Sequence, residues 1–259
     1  MAQNTTAGRL AGKVALVTGG ASGFGAAMST LFSHEGCRVL LADLNEDGAK
    51  SLASTLGSNV QAEKMDVTSG EDWERVIDGI ISNWGRLDIV VNNAGTSYKN
   101  KPTAEVTEQE FDRVFNVNVK SIFWSGKIAI PAILKSGNGG SIINISSIGS
   151  LRPRPGLVWY NATKGAVSNA TKALAAEYGP HQVRVNALCP LLSGTALFSA
   201  FTGVENTEEN VKKFLGNVPL GRLTKPEDVA HAALFLASDE GAFVNGVNLE
   251  VDGGRQWGG

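Results

Sequence analysis

The sequence predicts an α/β chain built on one parallel, doubly wound sheet, and three observations carry that prediction. Short β-rich runs alternate with longer helical patterns as far as residue 251. Several of those runs are apolar nearly throughout, as expected of strands in a sheet covered on both faces. The 42% hydrophobic content of the 259 residues is enough for a sizeable core and excludes disorder. Sustained strand–helix alternation implies crossover helices between parallel strands. With no linker, repeat or low-complexity segment in view, residues 1–259 read as a single domain.

The elements follow in order. "KVALVT" (13–18), "CRVLLAD" (37–43), "VQAEKMD" (60–66) and "LDIVVNN" (87–93) read as strands, as do "GSIINIS" (140–146), "QVRVNALC" (182–189) and "GVNLEV" (246–251). Helical patterns fill about 23–35, 45–56, 70–84, 108–136, 158–179 and 226–238. Two helix starts are signposted. Thr107 and Glu110 in "TEQE" have capping-box spacing, and Pro226 in "TKPED" sits where a first helical turn tolerates proline. The stretch at about 190–222 is too long for an ordinary connection and is expected to act as a lid.

Composition removes several function classes. A net charge of −2 gives no reason to expect nucleic acid or a membrane surface as partner. The beginning of the sequence lacks the apolar core of a signal peptide, and no run approaches the length of a membrane span. Two cysteines, Cys37 and Cys189, make no disulfide framework, so a reducing, cytoplasmic setting is expected. Glycosylation sequons at Asn4, Asn144, Asn161 and Asn169 read as chance. His34, His181 and His231 are scattered, and no metal site is expected.

The first strand runs directly into "TGGASGFG" (18–25) and then a helix. Gly19, Gly23 and Gly25 allow a tight turn and close approach of a pyrophosphate to the helix N-terminus, with Ser22 and Phe24 between them. An acidic residue, Asp43, ends the next strand, and that context turns a weak glycine pattern into a dinucleotide site. A carboxylate at Asp43 accepts hydrogen bonds from a ribose and repels a 2′-phosphate. Neither Ser22 nor Leu44 supplies the cation a phosphate would need, so NAD is expected over NADP. Asp66 and Val67 in "MDV" fall near an adenine position. Asn93, Ala94 and Gly95 in "NNAG" follow the fourth strand, at the carboxyl edge where such sheets bind ligands.

"YNATK" (160–164) places Tyr160 and Lys164 four apart, on one helix face. Such a pair is either a snorkelling surface couple or a means of making a phenol acidic. With "TGGASGFG", "NNAG", "NVN" (116–118), "SS" (146–147), "YNATK" and "VDGG" (251–254) in view, the chain resembles the short-chain dehydrogenase/reductase family, in its NAD-preferring classical subgroup. The match extends from Lys13 to about Gly254. It implies a seven-stranded Rossmann fold and a tetrad of Asn118, Ser147, Tyr160 and Lys164. Tyr160 would act as acid and base and Ser147 would polarise the substrate oxygen. Lys164 would serve both the phenol and the nicotinamide ribose, and Asn118 would hold a water near Lys164. A free phenol, with a pKa near 10, needs such a nearby positive charge to act as a base at neutral pH. The resemblance also implies cofactor contacts from Tyr160, Pro190, Ser193 and Thr195, and a homotetramer using the helices at 108–136 and 158–179 and the tail at 248–259.

One departure stands out. "PLLSGT" (190–195) has Leu191 where the family carries glycine, which reshapes the expected floor of the site. Phe198, Phe201 and Phe214 are candidates for lining an apolar pocket, or else for helix-face core. Arg152 and Arg154 border the expected substrate mouth, either to meet an anionic substrate or carrier or, as is more common, as solvated loop arginines. The expected activity is NAD(H)-dependent interconversion of a secondary alcohol and a ketone on a small substrate of apolar character. Reduction of 3-oxoacyl thioesters is the alternative within the enzyme class, and a redox-inactive NAD-binding scaffold is a further one.

Overall fold

The structure, a computed structural model, describes residues 8–194 and 198–258. Its strands are β1 (Val14–Thr18), β2 (Arg38–Asp43), β3 (Val60–Lys64), β4 (Ile89–Asn92), β5 (Gly140–Ile145), β6 (Val183–Pro190) and β7 (Asn248–Val251). They form one seven-stranded sheet in the order β3-β2-β1-β4-β5-β6-β7, and every pairing is parallel. The order turns back between β1 and β4. A crevice opens there at the carboxyl edge, where ligands bind in such sheets.

Ten α-helical stretches are described: α1 (Gly23–His34), α2 (Glu46–Leu56), α3 (Gly70–Trp84), α4 (Glu108–Phe115), α5 (Ser121–Trp124), α6 (Ile130–Lys135), α7 (Val158–Tyr178), α8 (Phe198–Thr202), α9 (Glu208–Leu215) and α10 (Pro226–Ala237). Alternate strand residues feed two separate cores, as the pleat requires. Ala15, Val17, Val39 and Leu41 pack with Met28 and Phe32 of α1 and with Val229, Ala233 and Leu234 of α10. Val14, Leu16, Leu40 and Ala42 pack on the opposite face with Trp73, Val76 and Ile80 of α3 and Ile130 and Ile133 of α6. This double burial accounts for the continuous apolar runs in the strands.

Local chemistry fixes the helix ends. The Thr107 hydroxyl accepts from the Glu110 amide while the Glu110 carboxylate accepts from the Thr107 amide, so the expected capping box forms. Pro226 opens α10, and Gly179 followed by Pro180 ends α7. The helix expected over 108–136 differs in detail. It is broken by π-helical segments at Asn116–Lys120 and Ser125–Ala129. Pro131 lacks the N–H that would bond back to Lys127, which relaxes the second break. The first break carries Asn118. Residues 190–222 are also less irregular than expected, since α8 and α9 lie within them.

Candidate active site

At the glycine loop, Gly19 has φ +64° and Gly23 φ +53°, a left-handed backbone that favours glycine. A side chain at Gly25 would collide with the Gly19 carbonyl and the Asn93 amide. Asn93 Nδ2 donates to the carbonyls of Thr18 and Gly19, at 2.9 Å each, which ties the turn after β4 to the loop. The neighbouring Ala94 amide donates to the Thr18 hydroxyl. Helix α1 differs from α2, α3 and α4. Each of those has a capping side chain and acidic residues in its first turn. At α1, Ser22 makes no side-chain cap and the first turn holds no acid. An N-terminus with uncapped amides, no repelling carboxylate and no room for a side chain fits a pyrophosphate.

Asp43 lies at the end of β2, beside this loop. Its two oxygens accept from the Ala21 amide (3.0 Å) and the Asn45 amide (2.9 Å). The cap of α2 is Asn45, so Asp43 is not spent on the helix. Each carboxylate oxygen retains a lone pair for a ligand hydroxyl. Leu44 is exposed beside it. Asp66 accepts from the Thr68 amide and hydroxyl through one oxygen. Val67 is buried, and its carbonyl receives the Trp73 indole N–H.

Tyr160, Lys164 and Ser147 line one cavity of about 410 Å³, together with Phe24, Asn93, Gly95, Pro190 and Ser193. Lys164 is buried and its Nζ donates to the Ile145 carbonyl at 2.8 Å. Adjacent serines divide their work. Ser146 turns inward, donating to the Lys164 carbonyl and bonding Ser168, and so clamps α7 to β5. Ser147 accepts from the Gly149 amide at 3.0 Å. Asn118 is committed to Thr96 through both its amide and its carbonyl oxygen, and to the Thr163 hydroxyl. Its side chain therefore fixes the loop after Gly95 against α7, while the Lys164 ammonium bonds the Ile145 carbonyl and not Asn118. Ser193 forms a β-bridge to Thr224. Thr195 lies outside the described residues.

Burial governs the electrostatics of the pair. Desolvation pushes the Tyr160 phenol up to about 12, with the Ser147 hydroxyl pulling the other way. The same desolvation drives the Lys164 ammonium down to about 8. Both groups are thus biased toward their neutral forms. Lys164 Nζ stands 5.9 Å from the Tyr160 ring centre and is not among the groups that shift the phenol. On its own, the protein holds Tyr160 as a proton donor.

The three candidate phenylalanines separate. Phe198 is fully buried and packs edge-on against Phe214 at 5.8 Å. Phe201 meets the Tyr160 ring edge-on at 5.1 Å, and Phe201 and Phe214 both line the cavity. Leu191, the departure from the family glycine, is buried in a small apolar cluster with Ile148 and Val218 and forms part of the wall. Arg152 is spent on tail carbonyls, those of Arg255 and Gly258.

Three contributors escaped sequence reasoning. Tyr98 is buried, and its hydroxyl accepts from the Trp159 amide, capping α7 one residue before Tyr160. Asn100 joins α8 to the 155 loop, donating to the carbonyls of Pro155 and Phe201 and, through its amide, to Ala200. Arg255 lines the cavity from beyond β7. All three follow a strand's carboxyl end, the position that could have marked them.

The family model described as "Enoyl-(Acyl carrier protein) reductase" matches residues 19–256. 4-Formylbenzenesulfonate dehydrogenase of Comamonas testosteroni is 48% identical over 94% of this chain and 97% of its own length. Cyclopentanol dehydrogenase of Comamonas testosteroni is 39% identical over 95% and 98%. Among solved structures, 3-ketoacyl-(acyl-carrier-protein) reductase from Brucella melitensis, complexed with NADH, superposes with a TM-score of 0.90 at 40% identity, over 95% of this chain and 99% of that one. With a family model matching residues 19–256, relatives 39–48% identical over nearly the whole chain and a superposable sheet, the chain belongs to the short-chain dehydrogenase/reductase family of oxidoreductases.

Proposed function

We propose that the protein interconverts a secondary alcohol and a ketone with NAD(H) as redox partner, within a single domain whose lid spans about 190–222. The observation that carries this is the convergence of Tyr160, Ser147 and Lys164 on one cavity that also reaches the glycine loop through Phe24 and Asn93. The uncapped, acid-free start of α1 and the glycine cradle would hold the pyrophosphate. Asp43 would take the adenosine ribose, with Leu44 beside it. Asp66 and Val67 would flank the adenine, and Asn93, Ala94 and Gly95 would form the floor toward the nicotinamide end. Pro190 and Ser193 would bound that end from the other side, and Thr195 is a further proposed cofactor contact. When bound, NAD(H) accepts or donates the hydride.

In reduction, Tyr160 gives its proton to the carbonyl oxygen, while Ser147 donates a hydrogen bond to that oxygen and stabilises its developing charge. The raised phenol pKa keeps the donor form filled throughout the neutral range. In oxidation, Tyr160 must accept the proton; Lys164 would favour the phenolate once its ammonium moves closer than the 5.9 Å at which it leaves the phenol unshifted. A side chain that can leave Ile145 would also reach a ribose hydroxyl. Asn118 acts as a positioning residue, holding Thr96 and Thr163 around this arrangement.

The relatives' names support alcohols and carbonyls carried on rings as the substrate class. Reduction of 3-oxoacyl thioesters remains the second reading, favoured by the reductase whose structure superposes. We also propose a homotetramer in a cytoplasmic setting. Two buried free cysteines and the exposed Phe123, Phe243 and Trp257 accord with these. No helix among the described residues is long and apolar enough to cross a membrane. The test is a panel of ring-bearing alcohols and ketones beside 3-oxoacyl thioesters, followed by NADH absorbance. Turnover of ring ketones above the thioesters supports the first reading. Thioester turnover alone would transfer it to the second, and silence across the panel would refute both.

A further inference from the structure

The cavity wall is charged in a way the proposed reaction does not use. Among the described residues its lining carries Lys99, Arg113, Arg152, Arg154, Lys164 and Arg255 and no acidic side chain, in a chain whose net charge is negative. Arg152 is occupied by the tail carbonyls and Lys164 by Ile145. Arg113 donates to the Ser97 carbonyl. Two cations then stand together on one aromatic ring. The Arg154 guanidinium lies 4.9 Å from the centre of Phe214, and that of Arg255 lies 5.8 Å from it.

No ion pair or side-chain hydrogen bond engages either guanidinium among the described residues. Arg255 Nη1 is buried without a partner. Asp252, the acid nearest in sequence, is taken by the Gly254 and Gln256 amides. Burial lowers the pKa of Arg154, and burial together with the charges of Arg152 and Arg154 lowers that of Arg255, against a smaller opposing pull from the charge of Asp252. Gathering like charges beside a partly desolvated ring is unfavourable unless an anion joins them.

The position points to the substrate rather than the cofactor. The pyrophosphate seat lies at the start of α1, and of that turn only Phe24 reaches the cavity. The 154 loop is instead tied to the reacting helix, because Asn161, next to Tyr160, donates to the Arg154 carbonyl at 2.9 Å. Apolar rings serve both ends of the cavity, with Phe201 against Tyr160 and Phe214 under the arginines.

We infer that Arg154 and Arg255, set around Phe214, form a subsite for a carboxylate or sulfonate at the end of the substrate remote from the reacting carbon. The substrate class is therefore a small ketone or alcohol whose apolar, ring-sized body separates the reacting carbon from a fixed anion. This rests on Tyr160 marking the reacting end, as proposed above.

Calorimetry on the protein saturated with NAD⁺, which cannot reduce a ketone, tests the subsite apart from turnover. The probes are 4-acetylbenzoate, 4-acetylbenzenesulfonate and 4-nitroacetophenone, the neutral isostere of the carboxylate. Both anions should bind the unmodified protein about tenfold or more tighter than the isostere, since charge-assisted hydrogen bonds are the strong ones. Arg154→Met and Arg255→Met should each remove most of that advantage and leave the isostere's affinity within about twofold. A preference for one anion identifies which headgroup the pair was shaped for. Equal or tighter binding of the isostere by the unmodified protein overturns the subsite, as does equal weakening of all three probes by the variants. If a variant does not fold, the anion-to-isostere ratio of the unmodified protein decides alone. Turnover is read separately: binding as expected without reduction of any probe would refute the proposed reaction and leave the subsite standing.

Discussion

Replacing Lys164 with methionine should stabilise the protein while destroying its use of cofactor. The ammonium is buried, its contact is one carbonyl, and its pKa falls from 10.5 to about 8. At about 1.4 kcal/mol per pKa unit, keeping it charged costs the native state about 3 kcal/mol. The hydrogen bond to Ile145 that methionine cannot make offsets about 1 kcal/mol of this. Lys164→Met should therefore gain about 2 kcal/mol near neutral pH. The sign of the pH dependence follows from linkage. Between the two pKa values the unfolded chain binds more protons than the native one, so the native protein gains stability as pH rises through that window. The cost is full below the native value of about 8 and disappears above the unfolded value of 10.5. Urea unfolding of both proteins without cofactor, at about pH 6.5 and about pH 9.5, reads this directly. The advantage of Lys164→Met should shrink to under about 1 kcal/mol at the higher pH. A variant less stable at the lower pH, or an advantage that ignores pH, would show that the ammonium is not held against its solvation.

Other outcomes follow from particular contacts. NADH should be preferred over NADPH, and Asp43→Ala should weaken that preference in kcat/KM; equal efficiencies in the unmodified protein would remove Asp43 from cofactor choice. Phe198→Ala should lower unfolding stability by about 3–5 kcal/mol, as for buried aromatic rings, whereas Phe201→Ala should raise KM for apolar substrates with NADH affinity kept. Light scattering should find a tetramer. Trp257→Gln, which alters an 83% exposed aromatic, should weaken it, and an unchanged assembly would take the tail out of the interface.

The sheet was legible because burial on both faces leaves unbroken apolar runs, as in "VALVT" and "RVLLAD". Helix starts were legible where a local rule acts, at Thr107 and Pro226. The π segments were not, because each spans five residues, too few to show a period of its own within the helical pattern. Among site residues, the glycine loop and the 160–164 helix carry their spacing in the chain. Asn118 illustrates the limit. Its place is given by "NVN", but its partners Thr96 and Thr163 arrive through the fold. The phenylalanines could not be sorted by pattern, since core and pocket both ask for apolar rings. The tyrosine pKa was harder still. Sequence shows a cation four residues away, while the effect that dominates is burial by elements distant in the chain.

The central claim is that the Tyr160 hydroxyl moves the proton. Tyr160→Phe keeps the ring that packs on Phe201 and removes only that oxygen. Single-turnover oxidation of bound NADH by a ketone that the unmodified enzyme reduces is the direct measurement, with NADH affinity determined alongside. The rate should fall by at least about 10²–10⁴-fold, the usual worth of general acid–base catalysis, with NADH affinity unchanged within about twofold. A variant that binds NADH normally and still reduces the ketone within about tenfold of the original rate would contradict the claim and place the proton donor elsewhere.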